Sequence, residues 1–327
     1  MQARTNTAEA GATGGNGHDV VDAPQERGRA RTRHVELSAG TIEYLDTGGE
    51  GQPIVLLHGL MMDASLWNDV LDDLSGDFRC IAPTLPLGAH RHPMGADADL
   101  SPRAIARLIS EFLDRLDLTD VTLVGNDTGG ALVQLLAAEG AARIGRIVLV
   151  SCDAFDNFPP GLTGKALVLI GKLPPPLFGL FMQQMRLRPL RRLPIAFGWL
   201  TKRGDATTAR WLTPVLAQPE IRRDTVCVLR AISAERDLML EAADRLGAFD
   251  APALVVWASD DRVMPPEHGR RLSQLLPHGQ LVEIPDSYTL IPLDQPVALA
   301  QAIRKFLRKR SEAQAPARER EPKGEAA

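Results

Sequence analysis

The sequence of 327 residues predicts an α/β fold, in which a mostly parallel sheet of eight strands carries helices on both faces. Short apolar segments alternate with helical patterns along most of the chain, and this alternation is typical of parallel strands joined by helices. Residues 153–249 interrupt the alternation with helical sequence punctuated by proline. They predict a helical cap inserted after the sixth strand.

The predicted strands are short apolar segments bounded by turn-forming or charged residues. The first two, at 35–37 and 41–45, predict a leading antiparallel pair. The other strands are predicted at 54–57, 80–82, 121–124, 147–150, 254–257 and 281–284. Helices are predicted near 66–74, 102–116, 130–138, 267–276 and 297–307.

The two ends of the chain differ from its middle in composition. Residues 1–32 are rich in Gly, Ala, Thr and charged residues without periodicity, and 311–327 have a similar character. Such sequence buries too little apolar surface to fold, so both ends are predicted to be disordered tails. Between them, 33–152 and 250–310 form the predicted core, and 153–249 form the predicted cap.

Composition and charge exclude several classes of protein. With a net charge of −4 and a pI near 6.0, the chain lacks the overall basic charge of a nucleic-acid-binding protein. Its most apolar run, 166–182, is broken by Lys172 and three prolines, so no membrane span is predicted. The dispersed Cys80, Cys152 and Cys227 indicate neither a disulfide framework nor a zinc site. Because no apolar N-terminal signal is present, we expect a cytoplasmic protein. We also expect it to act on a small molecule, without metal or cofactor.

The most informative motif is the segment Val-Gly-Asn-Asp-Thr-Gly-Gly at 124–130. An apolar strand precedes it and good helix formers follow it, so it predicts a tight turn from a strand into a helix. The glycines permit that turn and leave room around the residue at its tip, Asp127. This is the geometry of a nucleophile elbow. A carboxylate at the tip is able to attack carbon directly and form an ester.

The segment Pro-Ile-Val-Leu-Leu-His-Gly at 53–59 resembles the oxyanion loop of the α/β-hydrolase family, whose elbow usually has the form Gly-x-Ser-x-Gly. In this resemblance His58 and Gly59 shape the turn of the loop. The resemblance implies that the backbone N–H groups of Leu60 and Thr128 stabilise the negative charge that develops during the reaction.

A third motif extends the resemblance to about 35–307, nearly everything outside the tails. Residues 255–265 resemble the strand and loop that carry the family's acid, with Asp261 in the matching place. The family's catalytic His follows in a later loop, and 284–296 have that layout with Thr289 at the His position. A threonine hydroxyl is not basic near neutral pH, so it cannot replace imidazole as a proton acceptor.

Three residues are candidates to replace the missing group. His90 and His92 lie in the loop that leaves the fourth strand, and such loops border the site at the C-terminal edge of a parallel sheet. The alternative is that both are solvated loop residues. Asp153 follows the sixth strand, where some dehalogenase relatives place their acid; a structural role at the start of the cap is the alternative.

The resemblance is to the branch with an aspartate nucleophile, which includes epoxide hydrolases and haloalkane dehalogenases. It implies that Asp127 attacks an epoxide or a carbon–halogen bond, and that the ester persists unless another base acts. The Trp that haloalkane dehalogenases place after the nucleophile is Thr128 here, and the only tyrosines, Tyr44 and Tyr288, lie outside the cap. Two alternatives remain: a proton-transfer enzyme (lyase, isomerase or cyclase) that uses Asp127 as acid or base, and an inactive ligand-binding protein.

The predicted cap combines large apolar side chains with a basic cluster. The apolar residues between 155 and 211 predict an apolar pocket, although each one singly also fits ordinary helix packing. The basic cluster fits either an anionic substrate or lipid headgroup, or a solvated helix face. Its members are Arg186, Arg188, Arg191 and Arg192.

Overall fold

The computed structural model of the protein describes residues 30–314. Most of the two predicted tails, 1–29 and 315–327, therefore lies outside the described residues. Residues 31 and 32 belong to the first strand, and 311–314 belong to the last helix. The regular elements thus extend a few residues further at each end than the sequence predicts.

Eight strands form a single sheet. They are β1 Arg31–Leu37, β2 Gly40–Asp46, β3 Pro53–Leu57, β4 Arg79–Pro83, β5 Val121–Asp127, β6 Ile144–Cys152, β7 Ala253–Ala258 and β8 Gly279–Ile284. Their order in the sheet is β1-β2-β4-β3-β5-β6-β7-β8. β2 pairs antiparallel with β1 and β4, and every other pairing is parallel. The predicted mostly parallel sheet with its leading antiparallel pair is confirmed.

The helices predicted outside the cap are all present, the first of them preceded by a 3₁₀ turn at Ala64–Trp67. The α-helices of the described residues are α1 Asn68–Leu74, α2 Pro102–Arg115, α3 Thr128–Glu139, α4 Gly161–Ile170, α5 Pro175–Met182, α6 Arg188–Arg191, α7 Asp205–Ala217, α8 Pro219–Ala234, α9 Leu238–Leu246, α10 Pro266–Leu275, α11 Ile291–Asp294 and α12 Pro296–Gln314. None of them combines the length and the apolar character that crossing a bilayer requires.

Local sequence explains where the elements around the site begin. Ser101 precedes α2, and its side chain accepts the N–H of Ala104, while Pro102 occupies a position that needs no backbone donor. The central strands β5 and β7 are buried at every residue. Because successive side chains of a strand point to opposite faces, helices must cover both faces of the sheet. This burial accounts for the continuous apolar runs in the sequence.

Helices α4 to α9 lie between β6 and β7, where the sequence predicts the cap. Helices α4 and α7 pack against α8, and α5 packs against both α7 and α8. α9 instead packs against α3, which lies directly on β5 and β6. The range 153–249 therefore includes one helix that belongs with the sheet rather than with the other inserted helices.

Hydrogen bonds tie the inserted helices to the loops at the C-terminal edge of the sheet. The N–H of Leu290 donates to the carbonyl of Leu200 over 2.8 Å, and the hydroxyl of Thr201 donates to Asp294 Oδ1 over 2.7 Å. These contacts fix the position of the inserted segment over that edge, where parallel α/β sheets bind their ligands.

Candidate active site

Asp127 lies at the junction of β5 and α3, at the tip of the predicted elbow. Its backbone has φ 56° and ψ −130°, a conformation that few residues other than glycine adopt. The oxyanion loop approaches so closely that a Cβ atom on Gly59 would lie 2.2 Å from Asp127 Oδ1. Only glycine fits at position 59, because any larger residue would displace the carboxylate.

Three donors converge on one oxygen of Asp127. The N–H of Thr128 lies 2.7 Å from Oδ1, the N–H of Leu60 lies 3.2 Å from it, and the Thr128 hydroxyl lies 3.1 Å from it. The two N–H groups are the ones that the resemblance assigns to the oxyanion site, and they meet at the same atom. No hydrogen bond from the described residues reaches Oδ2. The carboxylate is therefore fixed through one oxygen, and the other is available for reaction.

The Asp127 carboxyl group is buried, with 5% of the residue exposed, and forms no ion pair with any described Lys, Arg or His. Burial raises its pKa above the usual value, while the three hydrogen bonds to Oδ1 counteract part of the rise. The charged form of Asp127 thus depends on these donors rather than on a cationic neighbour.

Two adjoining apolar cavities lie beneath the inserted helices. The inner cavity has a volume of about 40 Å³ and is lined by Asp127 and Thr128 together with apolar residues such as Phe158. The outer cavity, of about 90 Å³, lies between α4, α5 and residues 195–200. Both are lined by Leu60, Thr163, Leu167 and Leu200. Asp127 is the only titratable side chain in either lining, so a substrate there meets apolar walls and one carboxylate.

Asp153 lies beside the elbow but is buried behind it. Its Oδ2 atom lies 3.1 Å from the hydroxyl of Thr128, which also contacts Asp127. Its Oδ1 atom is buried and has no hydrogen-bond partner among the described residues. Burial, together with the charge of Asp127, raises the pKa of Asp153 well above its usual value. Thr128 therefore links two buried carboxyl groups that form no ion pair with a described Lys, Arg or His.

Asp261 and Thr289 are brought together as the resemblance implies. The hydroxyl of Thr289 donates to Asp261 Oδ1 over 2.8 Å, and the N–H groups of Val263 and Met264 donate to the same atom. Burial raises the pKa of Asp261 to about 6, against the effect of these hydrogen bonds. Its Oδ2 atom is buried without a partner among the described residues. Asp261 thus has a hydrogen-bond partner in the loop after β8, as the resemblance implies, but this partner is the hydroxyl of Thr289 and not an imidazole ring.

His58 uses both ring nitrogens within the oxyanion loop. Its Nδ1 atom lies 2.8 Å from the carbonyl oxygen of Gly59, and its Nε2 atom accepts the N–H of Leu85 over 2.8 Å. Nδ1 must carry the proton in this arrangement, because a carbonyl oxygen can only accept. Complete burial lowers the pKa of His58 to about 4. The ring is neutral and acts as a spacer between two loops.

Neither His90 nor His92 lines the cavities. His90 is 2% exposed, and its Nε2 atom lies 3.2 Å from Asp224 Oδ2 on α8. His92 lies nearer the surface, where its ligand atoms and those of His34 and Glu43 fall within 4.8 Å of one another. That cluster has the residue types of a divalent-metal site, but it is separate from Asp127. The structure therefore does not bring either histidine together with the elbow.

The predicted basic cluster is divided between two environments. Arg191 is buried and pairs with Asp205 at 3.1 Å, and Arg188 reaches the same carboxylate at 3.2 Å. Arg192 donates to the carbonyl of Thr201 over 2.8 Å. These contacts hold the inserted helices together, so the four arginines do not form a single binding face.

Two contacts at the elbow were not predicted from the sequence. Asn126 precedes the elbow Asp and donates through Nδ2 to the carbonyl oxygens of Val150, Ser151 and Thr289, which ties the elbow to β6 and to the loop after β8. The hydroxyl of Thr128 bridges two carboxyl groups, whereas only its N–H group was assigned a role. The available signal was a polar side chain on each side of the elbow aspartate.

Comparison with known proteins extends these observations. The model of the alpha/beta hydrolase family matches residues 54–302. Haloalkane dehalogenase 2 of Mycobacterium tuberculosis (strain ATCC 25618 / H37Rv) is 30% identical over 278 residues, which cover 83% of this chain and 93% of the relative. A 2-hydroxy-6-oxononadienedioate/2-hydroxy-6-oxononatrienedioate hydrolase of Cupriavidus pinatubonensis (strain JMP 134 / LMG 1197) is 26% identical over 272 residues, covering 76% and 86%.

Among solved structures, the haloalkane dehalogenase DbeA from Bradyrhizobium elkani USDA94 superposes with a TM-score of 0.70 at 18% identity, covering 87% of this chain and 99% of that one. A likeness at this level of identity concerns the fold alone. With the strand order and the family match, it confirms the fold class predicted from the sequence.

Proposed function

We propose that this chain, which belongs to the alpha/beta hydrolase family and is an enzyme of its dehalogenase-like branch, uses Asp127 as a nucleophile on a small apolar substrate. The reacting group would be a carbon–halogen bond or an epoxide. One observation carries the proposal: Leu60 and Thr128 hold Oδ1 of a carboxylate that is the only titratable group lining the two apolar cavities. We also propose that α4 to α8 act as the cap of this site.

In the first step, Oδ2 of Asp127 attacks the carbon that bears the leaving group. A carbon–oxygen bond forms and the carbon–halogen bond breaks, which yields an alkyl ester and a halide ion. With an epoxide, the ring carbon–oxygen bond breaks and the alkoxide takes a proton from water. The apolar walls offer Oδ2 no hydrogen-bond donor, which leaves this oxygen weakly solvated and ready to attack.

In the second step, water would add to Cγ of the ester and place negative charge on Oδ1. The N–H groups of Leu60 and Thr128 already point at that atom, so they would stabilise this charge. The step also needs a base to take a proton from water, and neither cavity lining contains one apart from Asp127 itself. We therefore expect ester formation to be faster than ester cleavage.

The relatives support the choice of the reacting bond. The name of the Mycobacterium tuberculosis relative describes a haloalkane dehalogenase, and its similarity extends over most of both chains. A carbon–halogen bond is therefore the first substrate class to test, with epoxides second. The chain has Thr128 where a halide-binding Trp would stand, so the leaving halide must be solvated by other means.

The test is intact-protein mass spectrometry after mixing the protein with a panel of haloalkanes and epoxides. With a haloalkane we expect a mass increase of one alkyl group less one hydrogen, mapped by digestion to Asp127, together with about one equivalent of released halide. With an epoxide we expect an increase equal to the mass of the whole epoxide. Asp127→Asn is the matched control because it keeps the shape of the side chain but removes its charge, and it should remain unmodified.

Two other outcomes would change the proposal. Continuous halide release without a persistent adduct would mean that a base does cleave the ester. Neither adduct nor halide across short and long alkyl chains would contradict the role of Asp127 as a nucleophile. The same result with the Asp127→Asn variant as with the wild type would also contradict it.

A second candidate function is proton transfer by Asp127 in an elimination or isomerisation. The bridge from Asp153 through Thr128 to Asp127 favours it, because a hydroxyl between two carboxyl groups is able to pass a proton from one to the other. Exchange of substrate hydrogen with deuterated solvent, without any protein adduct, would support this reaction over ester formation.

A further inference from the structure

The exposed large apolar side chains of the protein are concentrated on one part of its surface. Among the described residues, eight of the ten lie between 162 and 195, although this stretch is a small part of the chain. We call this surface the apolar face. It consists of Leu162, Leu169, Leu173, Leu177, Leu180, Leu187, Leu193 and Ile195, exposed by 36–68%.

The segments that carry the apolar face are neighbours in space. α4 contacts the last of them directly, because the hydroxyl of Thr163 donates to the carbonyl of Pro194 over 2.8 Å. α4, α5 and residues 195–200 together enclose the outer cavity. The exposed leucines and isoleucine therefore lie around one region, and such a concentration of exposed apolar side chains is typical of an interaction site.

The stretch of chain that carries the apolar face contains basic residues and no acidic ones. The sequence contains no Asp or Glu between Asp156 and Asp205, although the whole chain has a net charge of −4. The exposed basic residues of this stretch are Lys165, Lys172, Arg186, Arg188 and Arg203. Arg188 and Arg203 form ion pairs with Asp205 and Asp286, whereas Lys165, Lys172 and Arg186 form none with a described acidic residue. An apolar surface bordered by unopposed positive charge is typical of proteins that bind anionic lipid.

We propose that the apolar face docks on the surface of an anionic lipid bilayer. The leucine side chains would enter the boundary between headgroups and acyl chains, and the lysines and arginines would contact lipid phosphates. The described helices do not span the membrane, so the protein would rest on one leaflet.

Other occupants fit the same surface less well. Residues 1–29 and 315–327 contain no Leu, Ile, Phe, Trp or Tyr, so neither end of this chain has the composition to cover an apolar face. A second copy in a symmetric dimer would place Lys165, Lys172 and Arg186 opposite the same residues, and this like-charge contact would oppose association.

Docking would also place the outer cavity against the lipid. Ile195 belongs to the apolar face and lines that cavity, and the cavity adjoins the inner one at Asp127. A lipophilic substrate dissolved in the bilayer would then reach the carboxylate without crossing water. This consequence rests on the proposed function, whereas the docking itself does not.

The test is partition of the full chain onto large unilamellar vesicles, measured by co-sedimentation. We expect binding to vesicles of phosphatidylcholine with phosphatidylglycerol, and at least tenfold weaker binding to phosphatidylcholine alone. The double variant Leu177→Gln/Leu180→Gln should bind the anionic vesicles at least tenfold less. Lys165→Glu/Lys172→Glu should do the same, because each lysine near a charged membrane contributes about fivefold in affinity.

The matched control is Leu240→Gln/Val297→Gln, which changes the two exposed apolar residues that lie outside the apolar face. It should bind vesicles like the wild type. Equal loss in this control, or no binding of the wild type to anionic vesicles, would overturn the proposal. A wild-type dimer in light scattering that the Leu177→Gln/Leu180→Gln variant converts to a monomer would assign the surface to self-association instead.

Adduct formation with a short, water-soluble haloalkane separates docking from chemistry. The Leu177→Gln/Leu180→Gln variant should form the Asp127 adduct at the wild-type rate, which would also establish that it is folded. Vesicle binding without any adduct would support the docking proposal while contradicting the proposed function.

Discussion

Thr289 donates its hydroxyl to Asp261 Oδ1 over 2.8 Å, so the carboxyl group of Asp261 has a partner that cannot act as a base. The rest of the arrangement is complete, because the N–H groups of Val263 and Met264 also hold Asp261. Asn126 binds the carbonyl oxygen of Thr289 and fixes its loop beside the elbow. The side chain that Asp261 holds in this loop is therefore a hydroxyl and not a base.

Replacing Thr289 by His should convert single alkylation into turnover. An imidazole at this position would donate one N–H to Asp261, which already accepts the hydroxyl of Thr289. Its other ring nitrogen would take a proton from water. We expect cleavage of the Asp127 ester to accelerate by about 10²- to 10⁴-fold, the usual contribution of a general base. Halide release under multiple-turnover conditions measures this change.

Thr289→Gln is the control for that experiment, since the side chain of Gln is similar in size to that of His but is not basic. It should leave the ester as persistent as in the wild type. If Thr289→His folds, forms the adduct and still fails to release alcohol, the ester must be inaccessible to water, and the absence of His would not be the cause of its persistence.

The raised pKa of Asp261 predicts a pH dependence of stability. Its value is about 6 in the folded protein against 3.8 in the unfolded chain, so between these pH values the folded state holds a proton that the unfolded state has lost. The stability that this proton contributes is fully present below about pH 3.8 and is lost as pH rises through about 6. The loss is on the order of 2–3 kcal/mol.

Asp261→Asn removes this titration because an amide does not ionise. Urea unfolding at pH 4.5 and pH 8 measures the free energy of unfolding of both proteins. From pH 4.5 to pH 8 the free energy of unfolding of the wild type should fall relative to that of the variant, by about 2 kcal/mol. A constant difference between variant and wild type at both pH values would contradict the raised pKa.

Motifs with local geometry were predictable from the sequence. The elbow and the oxyanion loop depend on glycines at fixed positions, because close approach of the backbone leaves no room for a Cβ atom at Gly59. The alternation of strand and helix patterns likewise predicted the mostly parallel sheet correctly. Each of these features is marked by a short segment of sequence, even where the contact that explains it joins two segments, as at Gly59 and Asp127.

Contacts between distant segments were not predictable. Thr128 meets Asp153 because β5 and β6 are parallel neighbours, in register between Asp127 and Cys152. His90 meets Asp224 because α8 lies over the loop after β4. A single sequence shows that such residues are polar. It does not show which residue of a distant strand or helix will contact each of them when these elements pack together. The packing of α9 against α3 is also a contact between distant segments, and for this reason the predicted cap included α9.

His90→Phe tests whether the histidine of that loop acts in the reaction or in the structure. His90 and Asp224 are both almost fully buried and lie 3.2 Å apart, and Asp224 also accepts the N–H of Met94. Removing the hydrogen-bond partner of a buried carboxyl group is destabilising by about 1–3 kcal/mol. We expect a loss of this order in urea unfolding, with no change in the rate of ester cleavage at Asp127.

His92→Phe is the comparison, since His92 is nearer the surface and does not contact Asp224. It should change neither stability nor reaction rate appreciably. A tenfold or greater slowing of ester cleavage in folded His90→Phe protein, with His92→Phe unaffected, would instead identify His90 as the base.

Thr128→Val tests the bridge between the two buried carboxyl groups. A hydroxyl has one hydrogen and can donate to only one of two carboxylates, so contacts of 3.1 Å to both require a proton on one carboxyl group. The pKa of Asp153 is raised well above the usual value, so Asp153 is the group that holds it and donates to Thr128, which donates to Asp127. Valine has the shape of threonine without this hydroxyl.

In Thr128→Val, Asp127 loses one of the three hydrogen bonds that favour its charged form. The pKa of Asp127 should therefore rise, and the pH midpoint for adduct formation should move to higher pH. Thr128→Ser keeps the hydroxyl and should keep the wild-type midpoint. Adduct formation measured by mass spectrometry between pH 4 and pH 9 compares the three proteins. If the Val and Ser variants share one midpoint, the hydroxyl does not hold the charge of Asp127, and the two backbone N–H groups are sufficient for that task.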